Sequence, residues 1–234
     1  MKPHPTLGVV IIAGGAGRRL ATAVPDRPKA LAPLGSTTLL DHQLRQAAAL
    51  RPSQLCVLAC AAHAGAQIAA AVGPRAVVLM ENTPLGTAGG LGLLPTGPEA
   101  WLTLNVDHVS DVQLDAFVAA ARPPCTALVV EKSVTIDEGV VQLAKDGRMV
   151  SWQERPSLSV TVTTGLYLFE ATALRARCTG QRLDMPALVE SFVSEGVWTV
   201  RHTGAWIDAG TPERLASAAA LVSTPRRTAD PAED

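Results

Sequence analysis

Apolar runs separated by amphipathic stretches recur along the first part of the chain. The run at 7–13 is rich in β-branched residues and ends at a glycine-rich stretch, which predicts a buried strand of a parallel sheet. Leucines at helical spacing predict an amphipathic helix at 38–50. Strands are predicted at 55–61 and 76–80, with a helix at 63–72 between them. This β-α-β-α-β order indicates a parallel sheet with right-handed crossovers.

The later part of the chain departs from this alternation, because a β-hairpin with a Lys-Asp-Gly-Arg turn interrupts it. The elements predicted there are a strand at 101–106, a helix at 112–121, a strand at 126–130, the hairpin at 139–153, a strand at 160–169, helices at 171–177 and 185–195, a strand at 197–201 and a helix to about 221. We predict one domain over 1–222. The segment 223–234, rich in Pro, Thr, Arg and acidic residues, is expected to be a disordered tail.

Composition narrows the class of protein. With 234 residues and 47% hydrophobic content, the chain can bury the core of one large α/β domain. A net charge of −1 favours neither a nucleic-acid partner nor an anionic membrane. No apolar run approaches the roughly eighteen residues of a membrane helix. The cysteines form no CxxC pair, which predicts a reduced, cytoplasmic protein; they are Cys56, Cys60, Cys125 and Cys178.

The glycine-rich loop at 14–17 is the first candidate for chemistry. Arg18 and Arg19 follow it directly and Lys29 comes shortly afterwards. Exposed backbone N–H groups beside cations favour a polyphosphate ligand. A P-loop would need Gly-Lys-Ser/Thr after the second glycine, and the dinucleotide motif would need a third glycine where Leu20 stands. A secretory signal and a purely structural turn remain alternative interpretations.

Two aspartates are candidates for a metal site. Asp107 follows the strand at 101–106, and Asp208 follows a short apolar stretch late in the chain. Ligands bind at the carboxyl ends of strands in open parallel sheets. Two carboxylates beside bound phosphates suit Mg²⁺. The alternative is that either aspartate only caps a turn or a helix.

Several motifs together resemble the sugar nucleotidyltransferases, or nucleotide-sugar pyrophosphorylases. They follow one another in the family's order along nearly the whole chain: GGAGRRL and PKAL at 14–20 and 28–31, PLGTAGG at 84–90, Asp107, GVVQL at 139–143, DGRMVSWQERP at 146–156, TGLYLF at 164–169 and WIDAGTPE at 206–213. The resemblance implies a Rossmann-like three-layer sandwich with a mostly parallel, mixed central sheet. It also implies that the hairpin is a small sugar-binding subregion.

The resemblance implies transfer of a nucleotidyl group from an NTP to a heptose or hexose 1-phosphate, giving NDP-sugar and pyrophosphate. No general base is required, because a sugar phosphate is already anionic near neutral pH. The site has only to align two polyanions and neutralise their charge. By resemblance Arg19 stabilises the pyrophosphate leaving group, Lys29 contacts the phosphates, and Asp107 and Asp208 hold Mg²⁺.

The nucleotide side of the site is assigned in the same way. The residues implied to bind the nucleotide are Ala13, Gly14, Gly15, Gly17, Glu81, Gly86 and Thr87. Glu81 offers two acceptors that match the adjacent N1–H and N2–H donors of guanine. The loop ENTPLGTAGG also resembles that of mannose 1-phosphate and heptose 1-phosphate guanylyltransferases. GTP is therefore favoured, while a thymidylyl-, uridylyl- or cytidylyltransferase, and a merely solvated Glu81, remain open.

On the sugar side, resemblance assigns sugar-phosphate binding to Gly139, Glu154, Arg155 and Thr164. The chain departs from the family pattern at three positions. Arg155 replaces the usual lysine and presents a fork rather than a point charge. Val106 replaces a common glycine, and Arg18 replaces a threonine. These departures leave the identity of the sugar open.

Two rival functions remain. A non-catalytic relative that senses nucleotide sugars would be expected to lose Arg19, Lys29 or a metal aspartate, and this chain keeps them. A nucleotidyltransferase acting on another phosphate, such as a cofactor precursor, would not need the sugar-site motifs. We expect a monofunctional enzyme without an appended β-helix or acyltransferase domain. Relatives commonly form dimers or larger homo-oligomers, which leaves the number of subunits open.

Overall fold

The structure, a computed structural model, describes residues 4–17, 19–20 and 27–223. Arg18 and the predicted tail from 224 onward lie outside the described residues. The strands are β1 (His4–Ile12), β2 (Pro33–Leu34), β3 (Thr37–Thr38), β4 (Pro52–Cys60), β5 (Val77–Glu81), β6 (Ala100–Asn105), β7 (His108–Ser110), β8 (Cys125–Thr135), β9 (Val140–Leu143), β10 (Met149–Gln153), β11 (Ser157–Glu170), β12 (Val197–His202) and β13 (Trp206–Asp208). The α-helices are α1 (Leu39–Ala49), α2 (Gly65–Val72), α3 (Leu114–Ala120), α4 (Ala171–Arg177), α5 (Met185–Glu190) and α6 (Pro212–Ser223).

A seven-stranded sheet forms the centre of the fold, in the order β12-β8-β11-β6-β1-β4-β5. Strand β11 runs antiparallel to its neighbours β6 and β8, whereas the other pairs are parallel. Two-stranded pairs formed by β2 with β3, β7 with β13, and β9 with β10 lie outside it. The predicted mostly parallel, mixed sheet is confirmed.

The central strand β1 shows why the sheet is covered on both faces. Val9 and Ile11 belong to one buried cluster, which also contains apolar residues of α1, α2, α3 and α6. Val10 belongs to a second cluster, with residues of α4 and α5. Alternate side chains of a strand point to opposite faces. Helices therefore cover both faces of the sheet, and the predicted three-layer sandwich is confirmed.

Helix α1 illustrates how local sequence fixes an element. The Thr38 side chain accepts a hydrogen bond from the Asp41 N–H at 3.1 Å, which satisfies one of the free donors of the first turn. The leucines that predicted the helix, Leu39, Leu40 and Leu44, are all buried against the sheet. Capping and the apolar stripe thus select the same helix.

Several predicted boundaries differ from the structure by a few residues, and two of them are clearly wrong. The strand expected at 126–130 continues to Thr135, because its exposed end pairs with the equally exposed first half of β11 and carries polar residues that hid it. Helix α5 ends at Glu190 rather than at 195. Beyond it the N–H of Val193 bonds the carbonyl of Glu190, an i→i−3 turn, and the segment reaches Gly196 at φ +108°.

The four cysteines are free and buried, as the sequence predicted. Burial raises the pKa of the Cys56 thiol to about 11 and that of Cys125 to about 12. Such thiols stay protonated near neutral pH and behave as small apolar groups.

Among the described residues, no helix is long and apolar enough to span a bilayer.

Gly8 tests the packing of the central sheet. A Cβ at this position would lie 2.6 Å from Cε3 of the buried Trp101, its neighbour on β6. We therefore expect Gly8→Ala to lower the free energy of unfolding by about 1–3 kcal/mol, the usual cost of overpacking. Urea denaturation measures this change. Gly15→Ala is the matched control, because a Cβ there meets nothing within 4 Å, and an equal loss in both variants would contradict the packing argument.

Candidate active site

A cleft of about 420 Å³ opens at the carboxyl ends of the parallel strands. Ile12 of β1, Leu58 of β4, Glu81 of β5 and Asn105 of β6 all contribute to its lining. This edge is where open α/β sheets bind their ligands. The predicted site residues in the lining are Ala13, Gly14, Gly15, Arg19, Lys29, Glu81, Gly86, Thr87, Asp107 and Asp208.

The glycine-rich loop packs closely on the segment that carries Lys29. Gly17 has φ +60°, and a Cβ there would lie 2.7 Å from Cβ of Lys29. A side chain at position 17 would therefore be strained and would push Lys29 away. On the other side of the loop, Nδ1 of His63 lies 2.8 Å from the Gly14 carbonyl oxygen. Because a carbonyl only accepts, Nδ1 must carry the proton of this imidazole.

The pairing of β7 with β13 brings the two candidate metal ligands together. Asp208 is the register partner of His108, and the Ala209 N–H donates to the Asp107 carbonyl at 2.8 Å. Ligand atoms of Asp107, His108 and Asp208 all lie within 4.8 Å of one another. The carboxylates are thus fixed by backbone hydrogen bonds between segments that are distant in sequence.

This cluster fits a divalent cation. Oδ1 of Asp208 is buried and has no hydrogen-bond partner among the described residues, and a buried carboxylate oxygen without a donor is costly. A hard cation that prefers oxygen ligands would remove that cost. Asp107 and Asp208 are therefore the residues that would hold Mg²⁺, with the nitrogen of His108 beside them.

Lys29 forms an ion pair with Oδ2 of Asp107. Burial disfavours the charged form of Asp107, but the charges of His108 and Lys29 and the hydrogen bond from Lys29 outweigh it, so the pKa of Asp107 lies below its ordinary value. Burial also lowers the pKa of His108, despite the opposing charges of Asp107 and Asp208. His108 is therefore neutral near pH 7, and Lys29 is the cation that keeps Asp107 ionised.

Arg19 approaches the same cluster across Gly210. A Cβ at Gly210 would lie 2.9 Å from Oδ1 of Asp208 and 3.6 Å from Nη2 of Arg19. The guanidinium and the carboxylate thus both lie against this glycine. Arg19 is exposed, so its charge is available to a ligand in the cleft.

Glu81 lies on the opposite wall of the cleft and is 7% exposed. A Cβ at Gly90 would overlap its Oε1, so the glycine makes room for this carboxylate. The Leu85 N–H donates to Oε2 at 3.4 Å. Burial raises the pKa of Glu81, although the hydrogen bond from Leu85 and the charge of His63 oppose it. One buried acceptor group therefore faces the interior of the cleft.

The loop that carries Gly86 and Thr87 is held by the segment before α5. The Thr87 N–H donates to Oδ1 of Asp184 at 3.1 Å, and Thr87 Oγ1 accepts from the Met185 N–H at 2.7 Å. Gly86 has φ +81°, and a Cβ there would lie 2.5 Å from the Leu183 carbonyl oxygen. A glycine is needed here because other residues rarely adopt this positive φ and because a side chain would clash with the Leu183 carbonyl.

The residues predicted for the sugar side are placed elsewhere. Thr164 is buried, and its Oγ1 donates to the Leu128 carbonyl at 3.1 Å. Gly139 lies under the Trp152 ring, and the Trp152 Nε1–H donates to Glu154 at 3.2 Å. Arg155 is exposed, with its Nε–H donating to the Asp137 carbonyl at 3.3 Å. The cleft lining contains none of the four predicted residues.

Among the described residues, sequence reasoning missed three polar side chains that line the cleft, His63, Asn105 and His108. His63 and Asn105 each sit just after or at the end of a strand, and His108 follows Asp107 directly. Position at the carboxyl end of a parallel strand was the available signal for Asn105. His63 had no such signal, because its contact with Gly14 depends on the turn that precedes α2.

The fold and the cleft together define an α/β protein built to bind a nucleotide at a strand edge. Residues 8–224 match the family model described as nucleotidyl transferase. The protein therefore belongs to the nucleotidyl transferase family, which confirms the family expected from the motifs.

Relatives with established names agree with this class. The chain is 27% identical over 229 residues to the mannose-1-phosphate guanylyltransferase catalytic subunit beta of Drosophila melanogaster, covering 90% of this chain but only 62% of that protein. It is 28% identical over 243 residues to the N-acetylmuramate alpha-1-phosphate uridylyltransferase of Caulobacter vibrioides. That match covers 94% of this chain and 99% of that protein. The structure of HddC from Yersinia pseudotuberculosis shares the fold, with a TM-score of 0.68 at 17% identity over 92% of this chain and 99% of that one.

The metal cluster leads to a binding prediction. Mn²⁺, an observable substitute for Mg²⁺, should bind the wild-type protein and give a reduced free-ion signal in electron paramagnetic resonance. Asp208→Asn should weaken binding by at least about 10–100-fold, since even loss of an outer partner costs that much. Glu81→Gln is the control, because it removes an acid of the same cleft outside the cluster. Equal binding by Asp208→Asn and wild type would rule out this site.

Proposed function

We propose that this protein transfers a nucleotidyl group from an NTP, with GTP preferred, to a sugar 1-phosphate. One observation carries the proposal: Arg19, Lys29, Asp107 and Asp208 converge in one cleft at the strand edge. Two fixed cations and two carboxylates suit a reaction between two polyanions. Family membership supports nucleotidyl transfer as the reaction type.

The reaction needs alignment rather than proton transfer. An oxygen of the sugar phosphate attacks the α-phosphorus of the NTP, and the bond from that phosphorus to the bridging oxygen breaks. Pyrophosphate leaves with the electron pair, and the product is the NDP-sugar. Since the attacking oxygen is already anionic, charge neutralisation and in-line positioning provide most of the catalysis.

The cleft residues have distinct roles in this proposal. Arg19 stabilises the charge that develops on pyrophosphate, and Lys29 contacts the phosphates around the reacting phosphorus. Asp107 and Asp208 would hold Mg²⁺, which would supply positive charge beside the reacting phosphates. Backbone N–H groups around Gly14 and Gly15 receive the nucleotide.

Guanine specificity rests on Glu81. Its buried carboxylate offers two acceptors, and guanine presents two adjacent donors on its Watson–Crick edge. The uracil edge presents acceptor, donor and acceptor, which fits a carboxylate poorly. The Drosophila relative is named as a mannose-1-phosphate guanylyltransferase catalytic subunit, and this supports the same base.

A second candidate is a uridylyltransferase acting on an amino-sugar acid phosphate. The observation that favours it is length, because the match to the N-acetylmuramate alpha-1-phosphate uridylyltransferase covers 99% of that protein. A heptose or hexose 1-phosphate, with GTP, remains the preferred pair. Rates of pyrophosphate release across an NTP by sugar 1-phosphate matrix discriminate between the two, and a preference for UTP or dTTP would remove the guanylyl assignment.

The remaining features of the proposal concern the sugar end and the cellular setting. We retain Gly139, Glu154, Arg155 and Thr164 as predictions for the sugar end of the site. Four free, buried cysteines suit a reducing compartment, and a cytoplasmic location belongs to the proposal. The proposal includes neither nucleic acid nor a membrane as a partner. It is compatible with assembly into a homo-oligomer.

Arg19→Ala should lower kcat by about 10²–10³-fold, the usual effect of removing one preorganised donor at the reacting group. Asp208→Asn should abolish turnover, because it removes a charge from the metal cluster without changing side-chain shape. Both variants should keep the wild-type circular dichroism spectrum. Pyrophosphate release measures the rates.

Arg45→Ala is the matched control for Arg19→Ala, since Arg45 is an exposed cation on α1 outside the cleft lining. It should retain the wild-type rate. Near-normal turnover by Arg19→Ala, or by Asp208→Asn, would be incompatible with the proposed roles.

Glu81 should make the KM for GTP depend on pH. Because burial raises the pKa of Glu81, the carboxylate is lost at a higher pH than in an ordinary glutamate as the solution is acidified. The protonated acid no longer offers two acceptors, so the KM for GTP should rise as the pH falls through the raised pKa of Glu81. Glu81→Gln should remove this rise and reduce the preference for GTP over UTP. An unchanged KM for GTP in Glu81→Gln would contradict base recognition by this residue.

A further inference from the structure

A second lobe of about 320 Å³ lies next to the nucleotide cleft. Asp208 lines both spaces, so this carboxylate lies at their common boundary. Val130 and Lys132 of β8, Trp206 of β13 and Arg214 of α6 contribute to the wall of the lobe. A ligand in this lobe would therefore meet the nucleotide at the candidate metal ligand.

Arg214 is the cation nearest to that boundary. Its Nη1 lies 3.6 Å from Oδ2 of Asp208, beyond a good hydrogen bond but within ion-pair range. The Arg214 side chain is 48% exposed, so the guanidinium has donors left for a ligand. A guanidinium presents its donors as a planar fork, which matches two oxygens of one phosphate.

Lys132 adds a second positive charge to the lobe. Among the described residues, the one other acid in its lining is Glu131, which forms an ion pair with Arg201 on β12. Glu131 is thereby partly neutralised by a residue outside the lining. If Asp208 also binds a divalent cation, both acids of the lobe are occupied, and Arg214 and Lys132 leave it electropositive.

Arg155, which replaces the usual phosphate-binding lysine in the sequence motif, does not line the lobe. It adopts φ +44° and donates to the Asp137 carbonyl. In this structure, the phosphate of a sugar phosphate bound in the lobe would therefore meet Arg214 and Lys132.

We propose that this lobe binds the acceptor and that Arg214, assisted by Lys132, holds its phosphate group. The acceptor class is a compact phosphorylated sugar whose phosphate reaches Asp208, while the sugar lies against Trp206 and β8. This inference rests on the proposed function for the identity of the acceptor, but not for the presence of an anion site. Arg214 is a binding residue for the phosphate, in addition to the residues retained for the sugar end.

The experiment measures binding with Mg²⁺ present and NTP absent, so that Asp208 can hold its cation and the result does not depend on turnover. The probe is mannose 1-phosphate, observed by broadening of its phosphorus nuclear magnetic resonance signal on titration of the protein, with inorganic phosphate and mannose as separate probes. Arg214→Ala should raise the Kd for mannose 1-phosphate by about 10–100-fold, as expected for a hydrogen bond to a charged group. Lys132→Ala should raise it less, and Arg214→Lys should recover part of the affinity.

Arg175→Ala is the matched control, because Arg175 is an exposed cation on α4 whose guanidinium lies 3.4 Å from the Pro95 carbonyl, outside the lobe. GTP binding should be the same in wild type and Arg214→Ala, which separates the acceptor site from the nucleotide site. In turnover assays the loss should therefore appear in the KM for the sugar phosphate rather than in the KM for GTP.

The outcomes separate this inference from the proposed function. Loss of mannose 1-phosphate binding in Arg214→Ala, with no NTP supporting turnover, would support the lobe and remove the proposed reaction. Wild-type affinity in both Arg214→Ala and Lys132→Ala would overturn the inference, even if the enzyme transfers nucleotidyl groups. A loss confined to Arg155→Ala, or no binding of either phosphate probe by the wild type, would also overturn it.

Discussion

Backbone pairing between β7 and β13 is the interaction on which the site depends. Two half-buried carboxylates placed close together repel each other, and the cost grows as water is excluded. Side-chain contacts alone would let Asp107 and Asp208 move apart. Here the strand register and the hydrogen bond from Ala209 to the Asp107 carbonyl fix the main chain at both positions. The pairing therefore holds both carboxylates where one cation can contact them.

The positive charges around this pair are arranged unequally. Lys29 contacts Asp107 directly and is largely buried, whereas Arg19 and Arg214 are exposed near Asp208. A buried pair keeps its charges in place without bound ligand. The exposed guanidiniums can instead turn toward incoming phosphates. The cleft thus combines one permanent ion pair with two cations that retain free donors.

Much of the fold could be predicted, because strand β1 and helix α1 combine clear periodicity with clear ends. The layers follow from the alternation of Val9, Val10 and Ile11. The exposed end of β8, beyond residue 130, was not predicted. Its residues are largely polar and show no apolar pattern, and the segment is a strand because it pairs with β11. The antiparallel direction of β11 likewise depends on tertiary contacts.

The residues of the site that belong to sequence motifs could be predicted, whereas those placed by tertiary contacts could not. The glycine loop, Lys29 and the two aspartates were marked by motifs and by their position after strands. The pairing of β7 with β13 had no such signal in the sequence, because strands of three residues are too short to show a periodic pattern. His63 and Arg214 could not be predicted, because their neighbours Gly14 and Asp208 come close to them only in the folded chain. Arg155 was marked by its motif, but the motif did not predict its hydrogen bond to the Asp137 carbonyl.

The late position of Asp208 has a consequence for the order of synthesis. β1, β4, β5 and β6 all emerge from the ribosome well before β13, which carries the second carboxylate. Domains generally fold as units during synthesis. A nascent chain that ends before β13 has only one of the two aspartates, and translation through β13 supplies the second ligand of the cation site. Chemical competence is in this sense the last property that the polypeptide acquires.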